Sequence, residues 1–203
     1  MSKDYVDPRV IRTRQLFGQA LIRAATERGF ENLTIQAVVD EAQLGYASFH
    51  RHYRSLDELL ASIVTPAWET LHQRIAEQDT LYDESLALFQ FILEFQDLYR
   101  IYLSLPRNSP VRQPIDEAAL ALLTARYERQ NDTKVPFELS LMAVEALTGR
   151  LIHLYLDNIH KYSPKEMADM HLDFVLKSAL NTLQLRQGVV LAPQSLVPES
   201  DAS

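Results

Sequence analysis

The stretch "GYASFHRHYRSLDELL", residues 45–60, decides how the rest of the chain is read. Between Tyr46 and Arg54 it carries two histidines, two arginines and three aromatics; from Leu56 onward it is an ordinary amphipathic helix. Wound as a helix over about 45–53, the segment separates into two faces. Phe49 and Tyr53 are four residues apart and share one face, where they can pack against Leu16, Val38 and Val39. Ala47, His50, Arg51 and Arg54 fall at i, i+3, i+4 and i+7 on another face. Tyr46 and Ser48 sit in the first turn. The aromatic pair anchors the helix and the polar residues are presented outward.

The flanks give this short helix its setting. Upstream, Thr34 is placed to cap a helix over about 35–42, with Val38, Val39 and Ala42 turned inward. Only two or three residues separate the two helices, and Gly45 is the N-cap of the second. Downstream, Ser55-Leu56-Asp57-Glu58 reads as a capping box that opens a fourth helix through Leu59, Leu60, Ile63, Val64, Trp68, Leu71 and Ile75, with Pro66 as a candidate kink. In front, Asp7-Pro8 starts a first helix whose apolar stripe is Leu16, Phe17, Ala20, Leu21 and Ala24; Gly29 ends it. Two short helices joined by a tight turn and braced by a longer one form a helix-turn-helix, whose second helix enters the major groove of DNA.

The outward residues suit that task. Arg51 and Arg54 can grip guanine O6 and N7 with two hydrogen bonds, or a phosphate, and Ala47 allows close approach to a thymine methyl. His50 and His52 can donate to phosphate oxygens, and Tyr46 and Ser48, in the first turn after Gly45, are DNA-binding candidates with it, placed where a recognition helix contacts base edges. The Thr34 cap leaves backbone N–H groups facing outward as a phosphate site. A second reading stays open: plain surface charges for the arginines, and a packed pair for the histidines.

Charge is consistent with either reading. The whole chain of 203 residues is at −7, but residues 1–56 hold 8 Lys+Arg against 6 Asp+Glu, which leaves the remainder strongly acidic. A mildly basic head on an acidic body fits a DNA reader with a separate regulatory part. Neither GxGxxG nor GxxxxGK[ST] occurs, so nucleotide-binding α/β folds are not expected. There is no cysteine, hence no disulfide or thiolate chemistry. "MSKDYVDPR" has no apolar signal core, so a soluble cytoplasmic protein is expected.

Residues 9–64 resemble the DNA-binding head of the TetR (tetracycline-repressor) family. The resemblance rests on Glu27-Arg28-Gly29-Phe30 after the first helix, Thr34 before the second, Ala42 near its end, and the run Ser48-Phe49-His50-Arg51-His52-Tyr53-Arg54-Ser55-Leu56-Asp57-Glu58-Leu59. Four positions depart from the family pattern. Gln43 stands where the turn usually has glycine, and Gly45 where serine is usual. His50 replaces a tyrosine that often contacts phosphate. Leu56 replaces a lysine at the start of the fourth helix, a loss of roughly one phosphate contact per subunit.

The expected fold is all-α: an N-terminal three-helix helix-turn-helix head, then a helical ligand-binding and dimerisation body. The domains are read as 1–56, 57–186 and a mobile tail over 187–203. Body helices are expected at about 82–104, 111–130, 136–161 and 164–186, with Ser163-Pro164-Lys165-Glu166 combining a capping box with proline at the first helical position. The segment 136–161 is apolar on more than one face, with Leu139, Met142, Ala143 and Ala146 on one and Leu141, Val144, Leu151, Leu154 and Tyr155 widening it; the last helix is similar. A helix apolar beyond one stripe must be buried twice. Core on one side and a second subunit on the other meets that need, and the resemblance implies the same: a homodimer through about 136–161 and 164–186. A monomer that buries both helices internally is the alternative.

The resemblance also implies a small-molecule effector held among the middle helices. Trp68, Phe91, Phe95, Tyr99, Tyr127 and Glu145 are the candidates for lining its site, against the plainer reading of core aromatics. The function implied is a ligand-responsive repressor on a palindromic operator in double-stranded DNA, with no cofactor, no metal, no membrane partner and no enzymatic activity. Two alternatives remain. One is a TetR-like protein that has lost DNA binding and acts through its body. The other is a metal-binding helical-bundle enzyme, suggested by Glu69-Thr70-Leu71-His72 and the near-copy Asp157-Asn158-Ile159-His160.

Overall fold

The structure, a computed structural model, describes residues 7–128, 135–181 and 186–187. It is built from helices: α1 (Pro8–Arg28), α2 (Ile35–Ala42), α3 (Tyr46–His52), α4 (Leu56–Ala76), α5 (Leu81–Glu94), α6 (Gln96–Ser104), α7 (Arg112–Arg126), α8 (Phe137–Asp157), α9 (Pro164–His171) and α10 (Lys177–Asn181). A 3-10 turn, Phe30–Asn32, follows α1, and a π turn, Leu172–Leu176, joins α9 to α10. The only strands among the described residues are β1 (Tyr127–Glu128) and β2 (Arg186–Gln187), two residues each, paired antiparallel. The described chain falls into two compact units, Met1–Trp68 with Gln96–Gln113, and Glu69–Phe95 with Pro114–Ser203. The tail expected over 187–203 lies, beyond Gln187, outside the described residues.

In the first unit the helix starts follow the sequence signals. The Asp7 side chain accepts from the Arg9 N–H at 2.9 Å, with Pro8 at the first helical position. Thr34 accepts from the Ala37 N–H at 3.2 Å. Ser55 accepts from the Glu58 N–H at 3.1 Å, but the Glu58 carboxylate accepts from the Arg54 N–H at 2.7 Å rather than from Ser55. The reciprocal half of the expected box therefore reaches one residue further back. Pro66 sits inside a helix that continues to Ala76. Gly29 has φ 78°, a conformation natural to glycine, and its N–H closes α1 on the Ala25 carbonyl.

The core of this unit is Phe17, Ala20, Leu21, Val38, Phe49, Leu59 and Leu60, all fully buried. Phe17, rather than the half-buried Leu16, receives the aromatic pair. Its ring meets Phe49 edge-on at 5.4 Å and Tyr53 edge-on at 6.3 Å. Tyr53 is not in α3. It is the residue after it, extended at φ −144°, and still reaches the core at 5% exposure.

The expected single helix over 82–104 is broken. Phe95, at φ −114° and ψ 32°, separates α5 from α6 with neither glycine nor proline present. Phe95 lies 4.6 Å from Phe91, whose ring also carries the Arg74 guanidinium at 5.4 Å. The expected helix over 164–186 likewise becomes α9, the π turn and α10. Its start is as expected: Ser163 accepts from the Glu166 N–H at 3.3 Å and Glu166 accepts from the Ser163 N–H at 2.7 Å. α8 starts close to where expected but ends at Asp157, short of the expected 161, with Leu141, Val144, Ile152, Tyr155 and Leu156 buried on one side. It is also the one described helix long and apolar enough to cross a membrane, by length and composition.

Candidate nucleic-acid interface and body cavity

α3 is seven residues long, so its stability comes from packing, not from propensity. Phe49 locks its inner face, which fixes where the outer face points. Thr34, Gly45, Tyr46, Ala47, His50, Arg51 and Arg54 are exposed, and Ser48 and His52 are half-buried. The nine sequence-derived candidates are thus brought to the surface of one helix-turn-helix, with Thr34 at the start of α2 and the rest on or beside α3. The Tyr46 and His50 rings are 4.7 Å apart, which stiffens the first turn.

Three of the departures from the family pattern acquire geometry. Gly45 sits at φ −82°, and a Cβ there would meet nothing within 4 Å. No conformational need for glycine exists at this N-cap, so its role is to keep the start of α3 open. Gln43 is in the left-handed region at φ 54° and ψ 39°, alone in this among non-glycine described residues. Its N–H and that of Leu44 close α2 on the Asp40 and Val39 carbonyls. A left-handed non-glycine residue costs about 1–2 kcal/mol. Gln43→Gly is therefore expected to stabilise the head by about 0.5–1 kcal/mol, after the greater unfolded-state freedom of glycine is subtracted. Thermal melting checks it; a lower Tm for the variant would show that this turn carries no strain. Leu56, in the lysine position, is half-buried at the first turn of α4.

His52 lies close enough to cations for its pKa to be lowered, by burial first and then by the charges of Arg14 and Arg51. The ring is neutral near pH 7 with no phosphate beside it, and a phosphate would favour its protonation. Arg14, from α1, was not among the sequence candidates; its charge is felt at α3.

The second unit holds a cavity of about 140 Å³. Ile75, Leu88, Leu123, Val144 and Leu176 give it apolar walls, and Glu84, Ser85, Thr148 and His171 supply polar groups. None of the six sequence-derived ligand candidates lines it. Phe91 is buried and stacked on Phe95; Glu145 is half-buried; Trp68 and Tyr99 belong to the first unit, half-buried; and the Tyr127 side chain lies outside what is described. The residues the cavity does use are isolated polar side chains on apolar helix stripes: Ser85 inside Leu81–Phe89 and His171 between Met167 and Val175.

The other helical motif does not assemble. Glu69, Asp157 and His160 are exposed, and burial pushes the His72 ring down to about 4. Among the described residues no group of three or more His, Asp or Glu could hold a metal ion.

Comparison with known proteins bears on the head and the fold. No curated protein matches the chain. Solved structures do: a TetR-family transcriptional regulator from Syntrophomonas wolfei, 14% identical, over 84% of this chain and 96% of that one, at a TM-score of 0.63. NalD, the secondary repressor of the MexAB-OprM multidrug efflux pump in Pseudomonas aeruginosa, is 15% identical over 84% and 97%, at 0.63. SmeT, the repressor of the Stenotrophomonas maltophilia multidrug efflux pump SmeDEF, is 15% identical over 91% and 96%, at 0.61; SmeT in complex with triclosan is likewise similar, at 0.60. At these identities the likeness is one of fold. Residues 19–63 match the family described as bacterial regulatory proteins, tetR family, and this span runs from α1 through the whole helix-turn-helix into α4. The head thus matches the tetR family of bacterial regulatory proteins in sequence over residues 19–63, and the chain shares the fold of these solved regulators.

Proposed function

We propose that this chain is a ligand-responsive repressor that binds a palindromic operator as a homodimer and is released by a small molecule. The observation that carries the reading is α3: a helix pinned by a fully buried Phe49, with Ala47, His50, Arg51 and Arg54 left exposed along its outer side. That is the arrangement a major-groove reader needs. Dimerisation supplies the second recognition helix, about 34–36 Å from the first for successive grooves.

The interface we assign is the outer face of α8 with the π turn. Leu139, Met142, Leu147 and Leu154 are exposed on the side of α8 opposite Leu141, Val144 and Tyr155, and Phe174 is 69% exposed. Gly149 adds a place where a Cβ would meet nothing, which lets helices approach closely. A second copy covering this face accounts for the apolar length of α8 better than a membrane does, because Glu145 and Arg150 fall within the same helix. A cytoplasmic protein without enzymatic activity follows from this reading, and so does the domain division into head, body and tail.

Release follows from differential affinity. α4 is one 21-residue helix that begins in the head and ends in the body, and a ligand that favours one placement of it shifts the heads away from groove spacing. Reversing a 99:1 preference takes about 5.5 kcal/mol of differential affinity. NalD and SmeT, repressors of efflux pumps by name, and the SmeT–triclosan complex support a role of this kind.

Selection of bound duplexes from a random pool by the purified chain tests the reading. An inverted repeat is the expected product. Arg51→Ala should then relax one base position per half-site, at about 1–3 kcal/mol. A pool with no enriched sequence would transfer the working role to the body.

A further inference from the structure

Resting on the ligand-responsive reading, we infer that the cavity around Thr148 and His171 is the effector site and takes an uncharged, ring-sized molecule bearing one hydrogen-bond donor. Size comes first. About 140 Å³ is close to the roughly 150 Å³ of an engineered apolar cavity that holds benzene. Five aliphatic walls favour an apolar body over a string of polar groups.

The polar side follows from one chain of hydrogen bonds. The Ser85 hydroxyl donates to the Leu81 carbonyl at 2.8 Å. With its proton spent there, Ser85 Oγ accepts from His171, 2.9 Å away, so Nδ1 carries the ring proton. With the ring neutral, Nε2 is the acceptor for the Thr148 hydroxyl, 3.0 Å away. What Thr148 Oγ1 has left are lone pairs. Glu84 is half-buried on the same wall. A cavity edged by acceptors rewards a ligand O–H or N–H and repels a carboxylate or phosphate. His171 is itself fixed from behind, with Phe89 edge-on at 5.8 Å, so the acceptor is preorganised.

The wall can also respond. Leu176 lines the cavity and is the last residue of the π turn that starts directly after His171. π turns are uncommon and gather at functional sites. Phe174, in the same turn, is the most exposed large apolar residue described. A ligand against Leu176 therefore touches the segment that carries part of the proposed dimer face.

Titration calorimetry on the full chain tests this without operator DNA. Phenol is the probe, with anisole, which lacks the donor, and benzoate, which carries charge, as controls. Phenol is expected to saturate at one per chain, with both controls at least tenfold weaker. Thr148→Val should weaken phenol tenfold or more, and Thr148→Ser should restore it. Circular dichroism verifies the fold of each variant; if Thr148→Val is unfolded, Leu123→Phe, which narrows the cavity, must abolish binding instead. Equal affinity for anisole or benzoate, absence of saturable phenol binding, or indifference to these substitutions overturns the assignment. Phenol binding with no DNA selected would sink the repressor reading and leave the site standing. Operator binding with no phenol bound would do the reverse.

Discussion

Phe49→Ala is expected to unfold the DNA-binding head and abolish operator binding. Phe49 is 0% exposed, and it alone ties α3 inward along the helix, since the residues on either side of it are exposed or half-buried. Truncating a buried phenylalanine costs about 3–5 kcal/mol, through lost transfer energy and the cavity left behind. The edge-on contact with Phe17 at 5.4 Å adds about 0.5–1.5 kcal/mol. Whole small domains are stable by about 5–15 kcal/mol, so the loss takes most of what a head of this size has. Thermal melting followed by helix signal should show an early transition absent from the parent, while the second unit melts as before. Tyr46→Ala is the control. Its ring is 48% exposed beside His50, so stability should change by less than about 0.5 kcal/mol while contacts to DNA weaken. If Phe49→Ala melts like the parent, the packing of α3 on α1 is not what holds the reader in place.

That prediction draws on a part of the chain that is unusually plain in sequence. Asp7-Pro8, Thr34 and Ser163-Pro164 each announce a helix start, because the orphan N–H groups of a first turn need an acceptor close in sequence. The inward pair Phe49 and Tyr53 was readable because a four-residue spacing implies a shared face. Even so, Tyr53 reaches the core from just beyond the helix, which spacing alone does not reveal. Long-range choices were less legible. Which of Leu16 and Phe17 receives the pair depends on the rotation of α1, and one residue of rotation exchanges them. The break at Phe95 carries no glycine or proline; it shows only in the stacking of Phe95 on Phe91. The cavity was least visible. Ser85 and His171 are 86 residues apart, and Thr148 and His171 are 23 apart, so no local pattern joins them. Aromatic density drew attention to Phe91, Phe95 and Tyr99, yet aromatic rings readily satisfy one another. A lone polar residue on an apolar stripe, as at Ser85 and His171, was the better signal.

The second large effect concerns the outer face of α8. Met142→Glu combined with Phe174→Glu is expected to convert the proposed dimer to a monomer and to weaken operator binding at least a hundredfold. Both side chains are more than half exposed, at 59% and 69%, so neither change removes a contact from the core of one chain. The fold and the melting of a single subunit should be close to unchanged. In a two-fold interface each substitution occurs twice, which brings four carboxylates into a surface otherwise made of Leu139, Leu147 and Leu154. A buried, unpaired charge costs several kcal/mol, so their sum exceeds what an interface of ordinary strength supplies. Operator affinity falls with it, because a palindrome is held by two heads and the second binds at the high effective concentration the first provides. Losing that linkage costs about 10²–10⁴ in affinity without a change at any DNA-contacting residue. Sedimentation velocity at micromolar concentration measures the first effect, and duplex binding measures the second. A dimer that survives both substitutions would place the interface elsewhere on the second unit. A monomeric variant that still binds the inverted repeat as tightly as the parent would break the link between this face and operator reading.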